Sequence, residues 1–589
     1  MTVHVEKLGG CEDVGDVAKH ALAGGPEERP AAAGPLRAKL RELRVLLRLG
    51  WPNMIRLILE FLPGLAMCFF LAEDVNELAG AGMGFMFCNV SGISLIMGSG
   101  AGAGPLISQA FGAGNLRRCG DLLQQQLAIH AVLVIPVALL WLNTEPLLLA
   151  LRQPPAAARL TAQFARWRIA ALPFVALKED TGAYLIAQRS NNLPMVAGVV
   201  ANVLTVAAFP LLIGTLGFVG APLALTLGNV LQGLMVFLPA RCALPGAEAW
   251  PQWQVSTALG NWPQMLGIGL PAGALMLCEW WGWEVNLFFA GLLCEGKGDH
   301  GCVQLDVFPV VSNTMVVGFM LHYGFSIVSS AHVGNMLGAG EPERARHTSH
   351  VTILLAAVIS GATMALLCAF RWQWGPLFST DPAVIELTAE VLPAVALYIF
   401  LDSLGPSALV SVLRGLGLVK LPAVINFVSF YVVGIPYGLW LTFGKNGPHL
   451  GIVGLWIGLC VAMLTLVSCL LVYLYFVDWQ AASQDAQRRS QAEPSDAQEG
   501  ATSRAPRALD RLSLWRKGFE PVKAGRAKDT ELPGLLSLPT VFECQFEQEV
   551  PDLDVEAAAV EAGIEDLDLE ADASFDACPS AALGTLPWT

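Results

Sequence analysis

Between residues 49 and 478 the chain alternates long apolar stretches with short polar connections. Crossing a bilayer as a helix takes about 20 mostly apolar residues. Twelve stretches meet that length: 49–72, 79–102, 122–142, 162–187, 193–214, 218–239, 262–293, 305–330, 349–370, 387–411, 421–443 and 451–477. The connections carry Gly, Pro, Asn and charge, which are turn and breaker signals. The pattern predicts an all-α integral membrane protein with twelve transmembrane helices.

The second six stretches repeat the first six. SQAFGAGNLRR, with Gly112-Ala113-Gly114, matches GNMLGAGEPER, with Gly338-Ala339-Gly340, at an offset of 226. PPAAARLTA, ending at Ala162, matches TDPAVIELTA, ending at Ala389. Leu193-Pro194 matches Leu421-Pro422, and LGFVG at 216–220 matches LGIVG at 450–454. Matches in one order with a slowly drifting offset point to a duplicated half. Six helices per half is an even number, so the halves share one orientation. Two six-helix lobes related by a pseudo-two-fold axis along the membrane normal are therefore expected. The expected organisation is an N-terminal segment at 1–36, a first lobe at 37–240 and a cytosolic linker at 241–261. A second lobe at 262–478 and a polar, acidic tail at 479–589 complete it. The tail reads as disordered and cytosolic.

Charge orients the chain. Of 589 residues, 54% are hydrophobic and 14% charged, against about 25% charged in soluble domains. Arg37, Lys39, Arg41, Arg44 and Arg48 precede the first apolar stretch. Arg117, Arg118, Arg189, Arg241, Arg344, Arg346, Arg414 and Lys420 mark later connections on the same side. The positive-inside rule places both termini in the cytosol of a multi-pass protein. A plasma membrane and a vacuole-like organelle membrane fit this topology equally. Arg166 and Arg168 run against the pattern, since they begin the fourth stretch on the outer side. The net charge of −14 comes mostly from the tail and says little about what the membrane part binds. The start of the chain lacks a signal-peptide core.

Ionisable groups inside apolar stretches are costly and point to function. Glu279 lies mid-stretch among Trp280, Trp281 and Trp283. Burial disfavours the charged form of a carboxyl, so such a group can exchange a proton with the solution. The tryptophans offer apolar area and cation–π faces to a cargo. Glu279, Trp283 and Asn286 share one helical face at i, i+4 and i+7. Glu284 falls on a different face from Glu279. Asp402 is a second carboxylate within an apolar stretch, with helix capping before Gly405-Pro406 as its other reading. Arg56 and Glu60 have the spacing of an intrahelical ion pair. Asn89 suits a cavity wall or a bond to a neighbouring helix. Lys178, Glu179 and Asp180 read as mutual neutralisation in a polar pocket. The histidines from His322 to His350 show no metal-ligand spacing, and no Walker motif is present. No cofactor, metal, enzymatic activity or nucleic-acid partner is expected.

These motifs together resemble the multidrug and toxin extrusion (MATE) family, and its eukaryotic branch above all. The resemblance spans about residues 40–478 and rests on LISQAFGAGN, LMLCEWWGWEV, AHVGNMLGAGEPERAR, VLRGLG and FVSFYVVGIPYG. It implies export of organic cations or other metabolites, driven by inward proton or sodium movement. The family's acidic residue in the seventh helix falls on Glu279, and the second glutamate of that motif on Glu284. The acidic residue of the tenth helix falls on Asp402, with one extra residue before Arg414. The asparagine of the second helix matches Asn89. Vertebrate drug-exporting members carry a glutamate at the start of helix eight, where this chain has Gln304. The preceding loop, CEGKGDHGC, is longer and brings Cys294 and Cys302 to the outer face, where a disulfide is a further expectation.

The expected function is proton-coupled exchange for small amphipathic organic cargo by a monomer in the lipid bilayer. Glu279 and Asp402 would carry the proton. Trp280, Trp283, Glu284, Asn286, Gln304 and Asn89 would contact the cargo. Both coupling carboxylates lie in the second half, so that half is expected to carry coupling and the first to complete the cleft. Sodium coupling, or an anionic cargo such as a carboxylate or flavonoid, is an alternative within transporters. Flipping of a lipid-linked sugar is the alternative of another class.

Overall fold

The computed structural model describes residues 35–243, 250, 253–293 and 303–491. Among these residues it is all helix and turn, with no strand. The first lobe holds α1 (Leu36–Phe70), α2 (Asn76–Gly112) and α3 (Leu116–Leu142). Helix α4 runs as Pro155–Arg168, a 3-10 turn and Leu172–Ala187, and is followed by α5 (Asn192–Leu216) and α6 (Gly220–Ala243). The second lobe holds α7 (Trp262–Leu292), α8 (Val303–Gly338), α9 (Pro342–Ala369), α10 (Pro382–Gly415), α11 (Lys420–Phe443) and α12 (Ile452–Tyr475). Side-chain caps start several of them. Asp74 accepts from the Asn76 and Glu77 amides, Asn115 from Arg118 and Asp381 from Ala383, satisfying amides that a helix start leaves free.

Nine stretches of described residues are long and apolar enough to cross a membrane. One of them, Asn192–Arg241, contains both α5 and α6. The remaining two of the twelve are α4 and α7. Charges on α4 (Arg166, Arg168, Lys178, Glu179 and Asp180) and tryptophans, glycines and two glutamates on α7 lower their hydropathy. The helices least apolar in sequence thus include the two richest in candidate chemistry.

The duplication is visible in a reciprocal contact. At the end of α2, Gly112 lies against the Asn335 backbone of α8, and Gly338 at the end of α8 lies against the Gln109 backbone of α2. Each partner is the other's equivalent at the offset of 226. A contact in which i meets j while j′ meets i′ is the mark of a two-fold relation, so the pseudo-axis passes between α2 and α8. The turns that follow are also alike: Gly114 and Gly340 both have φ of 76°, a conformation that glycine adopts without a steric penalty. The approach repeats between other helices. Gly98 of α2 meets Gly273 of α7, and Gly324 of α8, at the same offset from Gly98, meets Met54 of α1.

Helix α8 is central and α9 peripheral: 72% of the most apolar window of α8 is buried against 22% for α9. Accordingly α8 carries buried His322, Ser326, Ser329, Ser330, His332 and Asn335. Helix α9 turns Leu354 and Val358 outward, as a lipid-facing helix should. Helix α1 begins well before the predicted residue 49, at Leu36. Its Glu42 is buried, bonded to His332 Nε2 (2.8 Å) and Arg344 Nη2 (3.2 Å).

The boundary drawn at 479 needs correction. Trp479–Gln491 form a helix, α13, rather than disordered tail. Its Ala482, Ser483, Ala486 and Ser490 are buried against the lobes. Small residues at i, i+4 and i+8 make a narrow face that polar composition hides from a hydropathy reading. The linker at 241–261 contains a short helix, Val255–Leu259. Residues 1–34 and 492–589, and the Cys294 and Cys302 pair, lie outside the described residues.

Candidate functional site

In the second lobe the Glu279 carboxyl of α7 lies beside the Asp402 carboxyl of α10, close enough for the two to interact directly. The two residues are 6% and 1% exposed. Two carboxyls side by side away from water cannot both ionise without a large cost. One oxygen of each, Glu279 Oε1 and Asp402 Oδ1, is buried without a hydrogen-bond partner. Asp402 does not cap a helix end. The chain continues through Gly405-Pro406 as a π-helical turn, Ser403–Leu409, a widening that recurs at functional positions in helices. Glu279, Trp280, Phe319, Tyr323 and Arg414 line a cavity of about 30 Å³ beside the pair. Next to it, Trp283 Nε1 donates to the Tyr398 hydroxyl at 2.6 Å.

Between the lobes lie two larger cavities, of about 100 and 130 Å³. They share Met97, Lys178, Glu179, Gln232 and Tyr323 as walls. Most of their charge comes from the first lobe. Arg56 Nη1 meets Glu60 Oε1 at 2.9 Å, and Lys178 Nζ lies 3.6 Å from Glu60 and 3.5 Å from Glu179. Gln232 ties the cluster, donating to Glu60 (3.1 Å) and accepting from Lys178 (3.2 Å). The Arg56–Glu60 pair expected from spacing is present, as one edge of a network that draws on α1, α4 and α6. Asp180 turns away from Lys178 to His130 of α3, whose Nδ1 is 2.8 Å from Asp180 Oδ2. His130 Nε2 is 2.9 Å from both Ser99 Oγ and Gln126 Nε2. With the Gln126 amide donating to Nε2, Nδ1 carries the hydrogen and donates it to Asp180.

The predicted residues divide into groups. Asn89, Trp280, Trp283 and Glu284 come together around a third cavity, of about 20 Å³, where α2 meets α7 and α8. Glu284 and Glu279 face different cavities, as their helical spacing requires. Trp280 borders the central cavity, this one and the cavity beside Glu279. Asn286 is buried within α7 with Nδ2 unpartnered, away from the walls of these cavities. Gln304 sits at the start of α8 against Gly451, apart from the others. Trp281 is 51% exposed and faces outward.

Sequence reasoning missed His130, Gln232 and Tyr323, and noted Arg168 and Arg414 only as orienting charges. A lone His in AIHAVLV carries no local signal of its partner fifty residues away. Arg168, read as an outer-side loop charge, is 4% exposed and lines the central cavity. Its signal was present: a charge that breaks the topology rule at the start of an apolar stretch.

Two parallel six-helix lobes around a charged central cavity define a membrane transporter. The MatE family model matches residues 52–211 and 271–440, one match in each lobe. The chain is 32% identical to human Multidrug and toxin extrusion protein 1 over 473 residues, which is 79% of this chain and 81% of that protein. It is 31% identical to mouse Multidrug and toxin extrusion protein 2, covering 76% of this chain and 77% of that protein. Its fold is similar to that of the eukaryotic MATE transporter AtDTX14, with a TM-score of 0.71 and 23% identity over 77% of this chain and all of that one. An outward-facing MATE transporter of the MOP superfamily matches with a TM-score of 0.66 and 18% identity, over 78% of this chain and 100% of that one. The chain belongs to the multidrug and toxin extrusion (MATE) family of membrane transporters.

Proposed function

We propose that this transporter exports small amphipathic organic molecules in exchange for protons, with Glu279 and Asp402 as the proton site. The carrying observation is the juxtaposition of these two buried carboxyls. Together they hold a proton in this arrangement. Loss of that proton places two negative charges side by side away from water, which is strongly unfavourable. The pair must then separate, and α10 has a π-helical turn immediately after Asp402 at which to move.

Coupling needs a shared wall between proton and cargo. Trp280, Phe319 and Tyr323 line both the proton-pair cavity and the central cavity. A shift of α7 against α10 therefore changes the surface that cargo meets. Access alternates as the lobes rock about the α2–α8 contact. Basic residues in the short connections favour cytosolic termini, in a plasma or vacuole-like membrane.

The test is reconstitution of the full chain in proteoliposomes with an imposed pH gradient and a panel of cationic and anionic cargoes. Glu279→Gln abolishes gradient-driven exchange while the protein still reaches the membrane. Gradient-driven exchange retained by that variant, or driven by sodium alone in the wild type, overturns proton coupling at this pair.

A further inference from the structure

The central cavity has an excess of hydrogen-bond donors. Its carboxylates are occupied: Glu60 by Arg56, Gln232 and Lys178, and Glu179 by Lys178. Arg168, which lines the same cavity, has no such partner. Its Nε and Nη1 are buried and unbonded, although the residue is only 4% exposed. Asn202 Nδ2, on the same cavity, is also buried and unbonded. Among the described residues that line this cavity, every buried side-chain nitrogen or oxygen without a partner is an N–H donor. A guanidinium stays protonated in proteins, so burial without a counter-charge is a standing cost. A ligand that brings an acceptor relieves it.

We propose that Arg168 is the anchor for an anionic group of the cargo, a carboxylate above all, with Asn202 as a second donor. This rests on reading the inter-lobe cavity as the cargo site. The planar fork of an arginine matches the two oxygens of a carboxylate. Across the cavity, Trp280 and Phe319 of the second lobe present aromatic faces. The preferred cargo is therefore an amphipathic aromatic acid, its carboxylate on the first lobe and its ring on the second.

Equilibrium calorimetry on the purified full chain in detergent, without any gradient, tests the proposal separately from proton coupling. The probes are hippurate and its uncharged methyl ester. The wild type binds hippurate more tightly by about 10-fold or more, the worth of a charge-assisted hydrogen-bonded pair. Arg168→Gln brings the ratio close to one, and Arg168→Lys, which keeps the charge but loses the fork, falls between. A wild type that binds neither probe, or both equally, overturns the proposal. So does a ratio unchanged in Arg168→Gln of wild-type melting temperature. Where Arg168→Gln does not fold, the Arg168→Lys ratio decides in the same way.

Discussion

The Glu279 carboxyl of α7 and the Asp402 carboxyl of α10 lie side by side, both buried, inside the second lobe. If they act as one proton site, their substitutions are not additive. Glu279→Gln combined with Asp402→Asn costs no more transport than either change alone, because each single change already removes the shared proton. Initial rates of pH-driven exchange for the two singles and the double check this. A double variant slower than both singles by the product of their losses means two independent sites.

The α2–α8 contact leaves no room for a side chain at Gly112 or Gly338. Gly112→Val destabilises this arrangement by about 1–3 kcal/mol, the usual cost of overpacking. Gly338→Val does the same by symmetry. The expected readout is a larger spin-label distance between the ends of α2 and α8, with slower turnover. Unchanged distances in both variants show that the glycines are not what permits closure.

His130 is fully buried beside Asp180. His130→Ala leaves a buried carboxylate without its partner and costs about 3–5 kcal/mol of stability. Adding Asp180→Asn, which removes the stranded charge, restores part of the loss. Thermal unfolding in detergent measures both steps. A double variant less stable than His130→Ala refutes the pairing.

Helix α13 touches both lobes. Arg489 donates to Gln109 Oε1 at 3.1 Å and to the Leu416 carbonyl at 3.2 Å, while Asn115 donates to the Ser490 carbonyl at 2.9 Å. Arg489→Ala leaves those acceptors unmet, at about 1–3 kcal/mol. The change is read as faster hydrogen exchange in α13 and at the ends of α2 and α10. Protection unchanged at all three sites shows that this arginine does not hold the helix.

The two carboxyls proposed for coupling were legible because a carboxylate inside an apolar run is conspicuous wherever it lies: Glu279, with Glu284, in the seventh stretch and Asp402 in the tenth. Their meeting was not legible, since Glu279 and Asp402 are more than a hundred residues apart and neither has a local feature that names the other. Lys178, Glu179 and Asp180 show the limit best. Three adjacent charges read as neutralising one another, yet successive residues on a helix point about 100° apart. Lys178 does pair with Glu179, but it also reaches Glu60, and Asp180 goes to His130. Much of the cavity's charge consequently belongs to the first lobe, which a reading centred on the second half had left as a cleft wall.

Span length, helical period and tandem duplication are properties of consecutive residues, so the chain alone determined the twelve helices, the parallel halves and the family they resemble. Partners, cavities and unmet donors arise where separate helices pack, and only the tertiary structure decided them. It paired Glu279 with Asp402, gave Asp180 to His130 and left Arg168 facing the cavity. The physical reason is that in the bilayer an apolar face can rest against lipid or protein at similar cost, whereas a buried charge must find a specific partner. Hydropathy therefore reports the helices, and only their packing reports which charges meet.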